Sequence, residues 1–431
     1  MTMVNFSVAR GAITPSWPSL LPATSYAAEP KAEPKAWHLA AIALMCVGCV
    51  VAWRQGAFYT GGVDPVVALK ALMQSAALAW AWVLAKKYGL ARPLGIRSLN
   101  YLLMILAVSL IGAFAAGDLM ASAVIAIRVL MMALTLMLVM RTYSAEQTLV
   151  ALSFAMAIVG ALSAGTGLAL GGGARLSGGI PPLSPNEIAL LAGVPALLLL
   201  HEGIRARVHC WHLALLVMLA GMLFLSESRT ALIGAAAAAG LMLLLIRHIP
   251  IQTVIAALIA FPLLTYTLLM TPVLQNLLAR EDSASLLTLN SRTISWSVVL
   301  NLPWDTWERW VGTGLSTKTI AVEGQYWEEQ VFDSSWISLL AQSGIIGTAI
   351  AVLWISSVVL RVLKTANART LFLPLLAFIL VRSFMENGLI DAGVMFLAFF
   401  AISLNLERPS ARISIDWDRH GTLSLSGRKA R

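Results

Sequence analysis

The sequence is poor in charged residues and in cysteine. Charged residues make up 12% of its 431 residues, whereas soluble domains carry roughly 25%, so a water-soluble globular protein is excluded. Of the three cysteines, Cys46 and Cys49 fall inside the first apolar run and Cys210 lies in a short basic loop. Neither a metal-binding CxxC pair nor a disulfide framework is therefore expected.

Long apolar segments dominate what is present, because 59% of the residues are hydrophobic. Segments of roughly 20 apolar residues can cross the hydrocarbon core as helices, and they lack the ten-residue alternation of membrane β-barrels. We therefore predict an all-α, polytopic integral membrane protein of about twelve helices. The predicted spans are 38–53, 66–85, 99–117, 119–140, 148–170, 187–200, 211–226, 230–246, 250–270, 334–360, 370–386 and 389–404.

The distribution of Lys and Arg predicts which side of the membrane each loop faces. The net charge of +9 comes mostly from short alternate loops, as the positive-inside rule expects, so a nucleic-acid partner is not predicted. Residues 1–37 are predicted to be a disordered cytoplasmic N-terminus, 38–404 the transmembrane domain, and 405–431 a basic cytoplasmic tail. Both termini are then cytoplasmic.

The long connection at 271–333, between predicted spans nine and ten, is expected to face outward. It contains eight acids and four bases, and long ordered connections are usually functional. Its tryptophans have two interpretations, an aromatic belt at the membrane interface or a surface on which sugars stack. They are Trp296, Trp304, Trp307, Trp310 and Trp327, with Trp336 three residues beyond the connection.

Bases outside the cytoplasmic loops are nearly all arginine, which presents a planar fork of donors to phosphate oxygens. Arginines at the outer ends of spans therefore indicate an anionic ligand at the membrane surface, such as a lipid-linked diphosphate. The alternative is that each arginine snorkels or pairs with an acid such as Glu227 or Glu386. The arginines on which the hypothesis depends are Arg175, Arg229, Arg292 and Arg382.

No histidine is predicted on the outer face, so either a general base there is a carboxylate or the reaction needs little help from a base. Asp333 is the candidate, because it lies where the long loop meets span ten. It could also serve as the N-cap of that helix. The glycine-rich stretches follow no strand of a βαβ unit, so a nucleotide site is not predicted, and the energy for any transfer would come from the substrate itself.

Several segments, in order, resemble the O-antigen ligase and O-antigen polymerase superfamily of bacterial glycosyltransferases. They are "RLSGGIPPLSPNEIALLAG", "LSESRTALIG", "LNSRTISWSVVL", "GTGLST", "DSSWISLLAQSGIIG" and "VRSFMENG", and the resemblance covers roughly residues 99–404. Its most specific parts are Ser228-Arg229-Thr230 and Asn290-Ser291-Arg292, with Trp296 four residues after the second arginine.

The resemblance implies a GT-C-like fold and transfer of an undecaprenyl-diphosphate-linked glycan to an acceptor hydroxyl at the outer face of the bacterial inner membrane. It implies no metal and no cofactor. Arg229 and Arg292 would hold the diphosphate and stabilise its departure. Further substrate contacts would come from Arg175, Arg382, Trp296 and Glu386. A flippase and a chain-length regulator are possible protein partners.

The ligases of this family carry a histidine at the start of the span after the large loop, where this sequence has Asp333. The resemblance implies that polymerase-like relatives tolerate Asp in this place, so a polymerase of surface polysaccharide is preferred over a ligase acting on lipid A-core. Chemically, a carboxylate can accept the hydroxyl proton that an inverting transfer releases. Two alternatives from other classes stay open. A flippase or transporter of an anionic lipid would need charges along a path, and a membrane scaffold would make the arginines incidental.

Overall fold

The computed structural model describes residues 34–53, 65–89, 94–171, 175–205, 210–246, 295–321 and 329–407. Several predictions lie outside these residues: the ninth span at 250–270, Arg292, about half of the 271–333 connection, nearly all of the N-terminus, and the tail beyond 407. The N-terminal region and the basic tail therefore stay predictions.

The regular secondary structure of the described chain is α-helical, apart from one short β-hairpin. Its elements are α1 (Ala36–Val50), α2 (Pro65–Tyr88), α3 (Arg97–Ala116), α4 (Leu119–Thr142), α5 (Ala145–Ala169), α6 (Pro185–Arg205), α7 (Cys210–Leu225), α8 (Arg229–Leu245), α9 (Trp307–Val311), β1 (Thr319–Ala321), β2 (Glu329–Val331), α10 (Ser335–Lys364), α11 (Ala366–Ser383) and α12 (Val394–Asn405). The strands pair antiparallel, with Ile320 opposite Gln330.

Six of the described helices, α2 to α6 and α10, have the length and apolar composition needed to cross a bilayer. The helices α1, α7, α8 and α12 are apolar but shorter. This supports a polytopic helical membrane protein, while the count of twelve spans and the GT-C-like architecture stay predictions. The helix α6 extends to Arg205, five residues beyond the predicted span 187–200, and it buries His201.

Contacts between connections define two ends of the helical domain. At one end, which we call the site end, the residues that follow α5 bind the α7–α8 turn, where Arg175 donates to the Ser226 carbonyl at 3.1 Å. At the same end, the residues before β1 bind the α11–α12 connection, where Lys318 pairs with Asp391 at 2.5 Å. At the opposite end, the Glu407 carboxylate accepts from the Ser98 amide at 2.7 Å.

The helix α8 packs along α11 through a face of small residues that includes Ala231, Gly234 and Ala238. The ring of Phe378 in α11 fits against two glycines, Gly193 of α6 and Gly234 of α8, where a side chain would meet the ring. Because α8 begins and α11 finishes at the site end, Arg229 and Arg382 each lie about one helical turn beyond this contact. The packing therefore brings two of the predicted arginines to the same region.

Candidate functional site

The start of α6 is fixed by a capping box at the site end. The Ser184 hydroxyl accepts from the Glu187 amide at 3.2 Å, and the Glu187 carboxylate accepts from the Ser184 amide at 3.0 Å. Pro185 occupies the first helical position, where its missing N–H costs nothing. This arrangement places Asn186 in the first turn of the helix, facing the end of α11.

The turn between α7 and α8 presents Arg229 as the first residue of α8, partly exposed. Glu227 in this turn has a φ of 50°, a left-handed conformation that is uncommon for residues other than glycine. The Ser228 hydroxyl is buried and has no hydrogen-bond partner among the described residues. The turn is therefore held in an unusual shape with a polar group turned inward.

Arg175 stabilises that turn. Its Nε and Nη2 atoms donate to the Ser226 carbonyl at 3.2 and 3.1 Å, and Nη2 also donates to the Glu227 carbonyl at 3.4 Å. These bonds are to main-chain oxygens rather than to an acid. The geometry thus assigns Arg175 a part in shaping the turn before Arg229, in addition to the predicted ligand contact.

Among the arginines of the predicted set that the structure describes, Arg382 is the most deeply buried, with 2% of its surface exposed. It lies in the last turn of α11, where the helix dipole favours a positive charge. Its Nη2 donates to the Asn186 carbonyl at 2.9 Å, and its guanidinium lies 5.9 Å from the Phe378 ring centroid. Its Nε and Nη1 atoms are buried without a hydrogen-bond partner in the described part of the chain.

Glu386 joins the end of α11 to the starts of α6 and α10. Its carboxylate accepts from the Asn186 side-chain amide at 2.5 Å, and its carbonyl accepts from the Ser335 amide at 3.1 Å and hydroxyl at 2.7 Å. The Ser335 hydroxyl also accepts from the Leu389 amide at 3.2 Å. The predicted residue Glu386 therefore lies within the same hydrogen-bonded group as Arg382.

Asp333 is partly buried and precedes α10 by two residues. The interpretation of Asp333 as the N-cap is wrong, because Ser334 occupies that position and its carbonyl accepts from the Ser338 amide. Two residues beyond the cap, the Trp336 indole donates to the Ser383 hydroxyl at 3.0 Å, next to Arg382. The start of α10 therefore places Asp333 beside the end of α11.

Trp296 lies in a helical segment, 295–300, and is partly buried rather than displayed on an outer surface. It packs against a small apolar cluster that includes Phe332, the residue before Asp333, and Ile337 in the first turn of α10. Its indole nitrogen is buried and has no hydrogen-bond partner among the residues described. Arg292, four residues earlier, is outside the described residues, so its position relative to Asp333 stays a prediction.

The three exposed tryptophans at 304, 307 and 310 form a separate surface. Trp304 and Trp310 lie edge to face with ring centroids 6.0 Å apart, and the Arg309 guanidinium stacks over Trp304 at 3.8 Å. The Trp310 indole donates to the Trp304 carbonyl at 3.1 Å. Both the interfacial belt and the sugar-stacking interpretation remain compatible with this surface.

Two glycine motifs interlock, Gly312-Thr313-Gly314 before β1 and Ser343-Gly344-Ile345-Ile346-Gly347 in α10, and the sequence did not predict this contact. The helix α10 leaves helical geometry at Gly344, with φ 62° and ψ −167°, and the loop that begins with Gly312 fits against this break. The Thr313 amide donates to the Ala341 carbonyl at 2.9 Å, and the Gly314 amide to the Gln342 carbonyl at 3.1 Å. The loop thereby fixes the first segment of α10, which follows Asp333.

Among the described residues, no group of three or more His, Cys, Asp or Glu side chains could hold a metal ion. The polar groups gathered at the site end are instead arginine donors, two carboxylates and an amide. Such a set can bind an anion through Arg229 and Arg382 and accept a proton at a carboxylate oxygen.

Residues 214–352 match the family model described as O-antigen ligase. The match confirms the predicted resemblance to the O-antigen ligase and polymerase superfamily. The matched segment covers about a third of the chain and contains Arg229, Arg292, Trp296 and Asp333, together with both glycine motifs. Arg175, Arg382 and Glu386 lie outside it, so the structure rather than the match connects them to the site. No curated protein matches this chain.

Proposed function

We propose that the protein is a glycosyltransferase of surface-polysaccharide biosynthesis. It would act at the outer face of the inner membrane and use an undecaprenyl-diphosphate-linked glycan as donor. The family match supports the class of reaction. The observation that carries the assignment of the donor is the buried Arg382, which has no acid partner among the described residues and lies at the same end of the domain as Arg229.

A buried guanidinium without a counterion is costly, and a bound anion would remove that cost. In the described residues, no carboxylate oxygen lies within 4.0 Å of an Arg382 nitrogen. A lipid diphosphate carries the required negative charge and arrives at the membrane surface with its sugar pointing outward. Arg229, Arg382 and the predicted contact Arg292 would bind its phosphate oxygens.

The transfer forms a bond between the acceptor hydroxyl oxygen and the anomeric carbon of the donor sugar. The bond from that carbon to the diphosphate breaks, and its electron pair leaves on the diphosphate oxygen. The arginines stabilise this developing charge because they are already in place when it forms. Asp333 accepts the hydroxyl proton, and inversion at the anomeric carbon follows from a single displacement without a metal.

Trp296 is positioned to support the base rather than to display its ring widely, because it packs against the apolar cluster that contains Phe332, the residue before Asp333. One edge of the indole would still contact the sugar, because the indole nitrogen has no hydrogen-bond partner among the described residues. Polymerisation of repeat units is preferred over ligation because Asp333 stands where the resemblance places a histidine in ligases.

The test is reconstitution of the purified full-length protein with an undecaprenyl-diphosphate oligosaccharide, followed by gel separation of the products. A ladder formed from the donor alone establishes a polymerase. One addition that requires a separate glycolipid acceptor establishes a ligase and overturns the preference for polymerisation. Movement of the donor across vesicles without a new glycosidic bond would overturn the proposal in favour of a flippase.

A further inference from the structure

Two acids lie close enough to Arg382 for their charges to act on it, and both are held by other donors. They are Glu386 and Glu187. The Glu187 carboxylate accepts from the Ser184 amide at 3.0 Å, as part of the capping box. The Glu386 carboxylate accepts from the Asn186 side-chain amide at 2.5 Å. The first turn of α6 therefore keeps both possible counterions engaged.

Asn186 contacts both Arg382 and Glu386, and these two residues form no ion pair with each other. Its main-chain carbonyl accepts from Arg382 Nη2 at 2.9 Å, while its side-chain amide donates to Glu386. Arg382 and Glu386 are four residues apart, a spacing at which opposite charges commonly pair when both residues are helical. Here α11 ends at Ser383, so Glu386 follows the helix and is directed to Asn186 instead.

We propose that Asn186 is a positioning residue that holds Glu386 away from Arg382 and so keeps the buried guanidinium open to a diphosphate. This inference rests on the proposed function. A direct ion pair between Glu386 and Arg382 would neutralise the site and occupy the Nε or Nη1 donors that now lack a described partner. Removal of the Asn186 amide should therefore close the site with a carboxylate from the chain itself.

The mechanism predicts an unusual pair of effects for Asn186→Ala. Affinity for a diphosphate should fall, because Glu386 competes for Arg382, while thermal stability should be unchanged or higher, because the buried cation gains a partner. The double variant Asn186→Ala/Glu386→Gln should recover affinity, since a neutral amide cannot replace the anion. A purely structural role for Asn186 would produce neither the recovery nor the gain in stability.

The experiment measures binding of inorganic diphosphate to the purified full-length protein by calorimetry, together with the Tm of each variant. We expect a loss of about tenfold or more in affinity for Asn186→Ala, recovery to within about threefold of wild type in the double variant, and no change for the control Ser184→Ala. The control weakens the start of α6 but leaves the partners of both acids in place.

Unchanged affinity in Asn186→Ala, or a loss that Glu386→Gln does not reverse, would overturn the inference while leaving the proposed function standing. Failure of the wild type itself to bind diphosphate would instead contradict the proposed function. Asn186→Asp gives a second test, because its carboxylate cannot donate to Glu386 and can itself approach Arg382, so it should also lose affinity.

Discussion

Gly344, where α10 leaves helical geometry, lies directly against the backbone of Trp310 in α9. A β-carbon at position 344 would overlap the Trp310 carbonyl group and the Val311 amide. The contact joins the long connection before α10 to the helix that follows Asp333. The site therefore depends on a backbone contact that only glycine permits.

Gly344→Ala should prevent this contact. Its φ of 62° with ψ near −167° belongs to a region that is essentially restricted to glycine, and the added carbon has no room. We expect a Tm decrease equivalent to about 3 kcal/mol or more, measured by thermal unfolding in detergent. Gly240→Ala is the matched control, because that helical glycine has open space around it, and it should be neutral or slightly stabilising. Equal behaviour of the two variants would contradict this account.

The pair formed by Lys318 and Asp391 should couple the loop after Gly314 to the α11–α12 connection. The two side chains are 13% and 22% exposed and 2.5 Å apart, so their interaction should exceed that of a surface pair. A double-mutant cycle with Lys318→Met and Asp391→Asn should give a coupling energy of about 1 to 2 kcal/mol in thermal unfolding. Strictly additive effects would show that the pair contributes nothing to holding the loop.

Arg382→Met should separate stability from function. Replacement of a buried, incompletely paired charge by an apolar side chain is often neutral or stabilising, so the Tm should not fall. Transfer activity should nevertheless drop by about a hundredfold or more, since one charge-assisted contact to the leaving group is lost. The control Arg141→Met removes an arginine from the last turn of α4, at the end of the domain opposite the site end. It should leave activity intact. A lower Tm with preserved activity would identify Arg382 as a structural residue.

Arg175→Ala should act mainly through the α7–α8 turn. The loss of its donors leaves the Ser226 and Glu227 carbonyls without these hydrogen bonds, so the Tm should fall by the equivalent of about 1 to 3 kcal/mol. Because Arg229 follows that turn, activity should fall as well, and Arg175→Lys should restore only part of it, since lysine lacks the planar fork. Full activity at an unchanged Tm would show that the turn does not need Arg175.

Hydropathy located most of the helices because each span must be continuously apolar to satisfy its backbone in lipid. The motif Ser184-Pro185-Asn186-Glu187 also carries a recognisable helix start. Residue type and the predicted outer side of the membrane already grouped Arg175, Arg229 and Arg382, and the structure places them at one end. The sequence alone could not predict the hydrogen bond between Asn186 and Glu386, because those residues are 200 positions apart.

The contact between the two glycine motifs was not predicted, for a related reason. Both motifs are visible in the sequence, but neither contains residues that indicate which other segment it contacts. The contact depends on backbone conformation at Gly312 and Gly344 rather than on side-chain chemistry. The N-cap at Ser334 was misplaced by one residue because Asp and Ser are both good capping residues.

The most direct measurement follows release of undecaprenyl diphosphate by the purified protein when donor and acceptor glycan are both present. Wild type should release lipid diphosphate in step with formation of the new glycosidic bond. Arg229→Ala, Arg382→Met and Asp333→Asn should each abolish both, while Arg141→Met should not. Release and bond formation at wild-type rates in the Arg229 and Arg382 variants would contradict the account, because the leaving group would then need neither arginine.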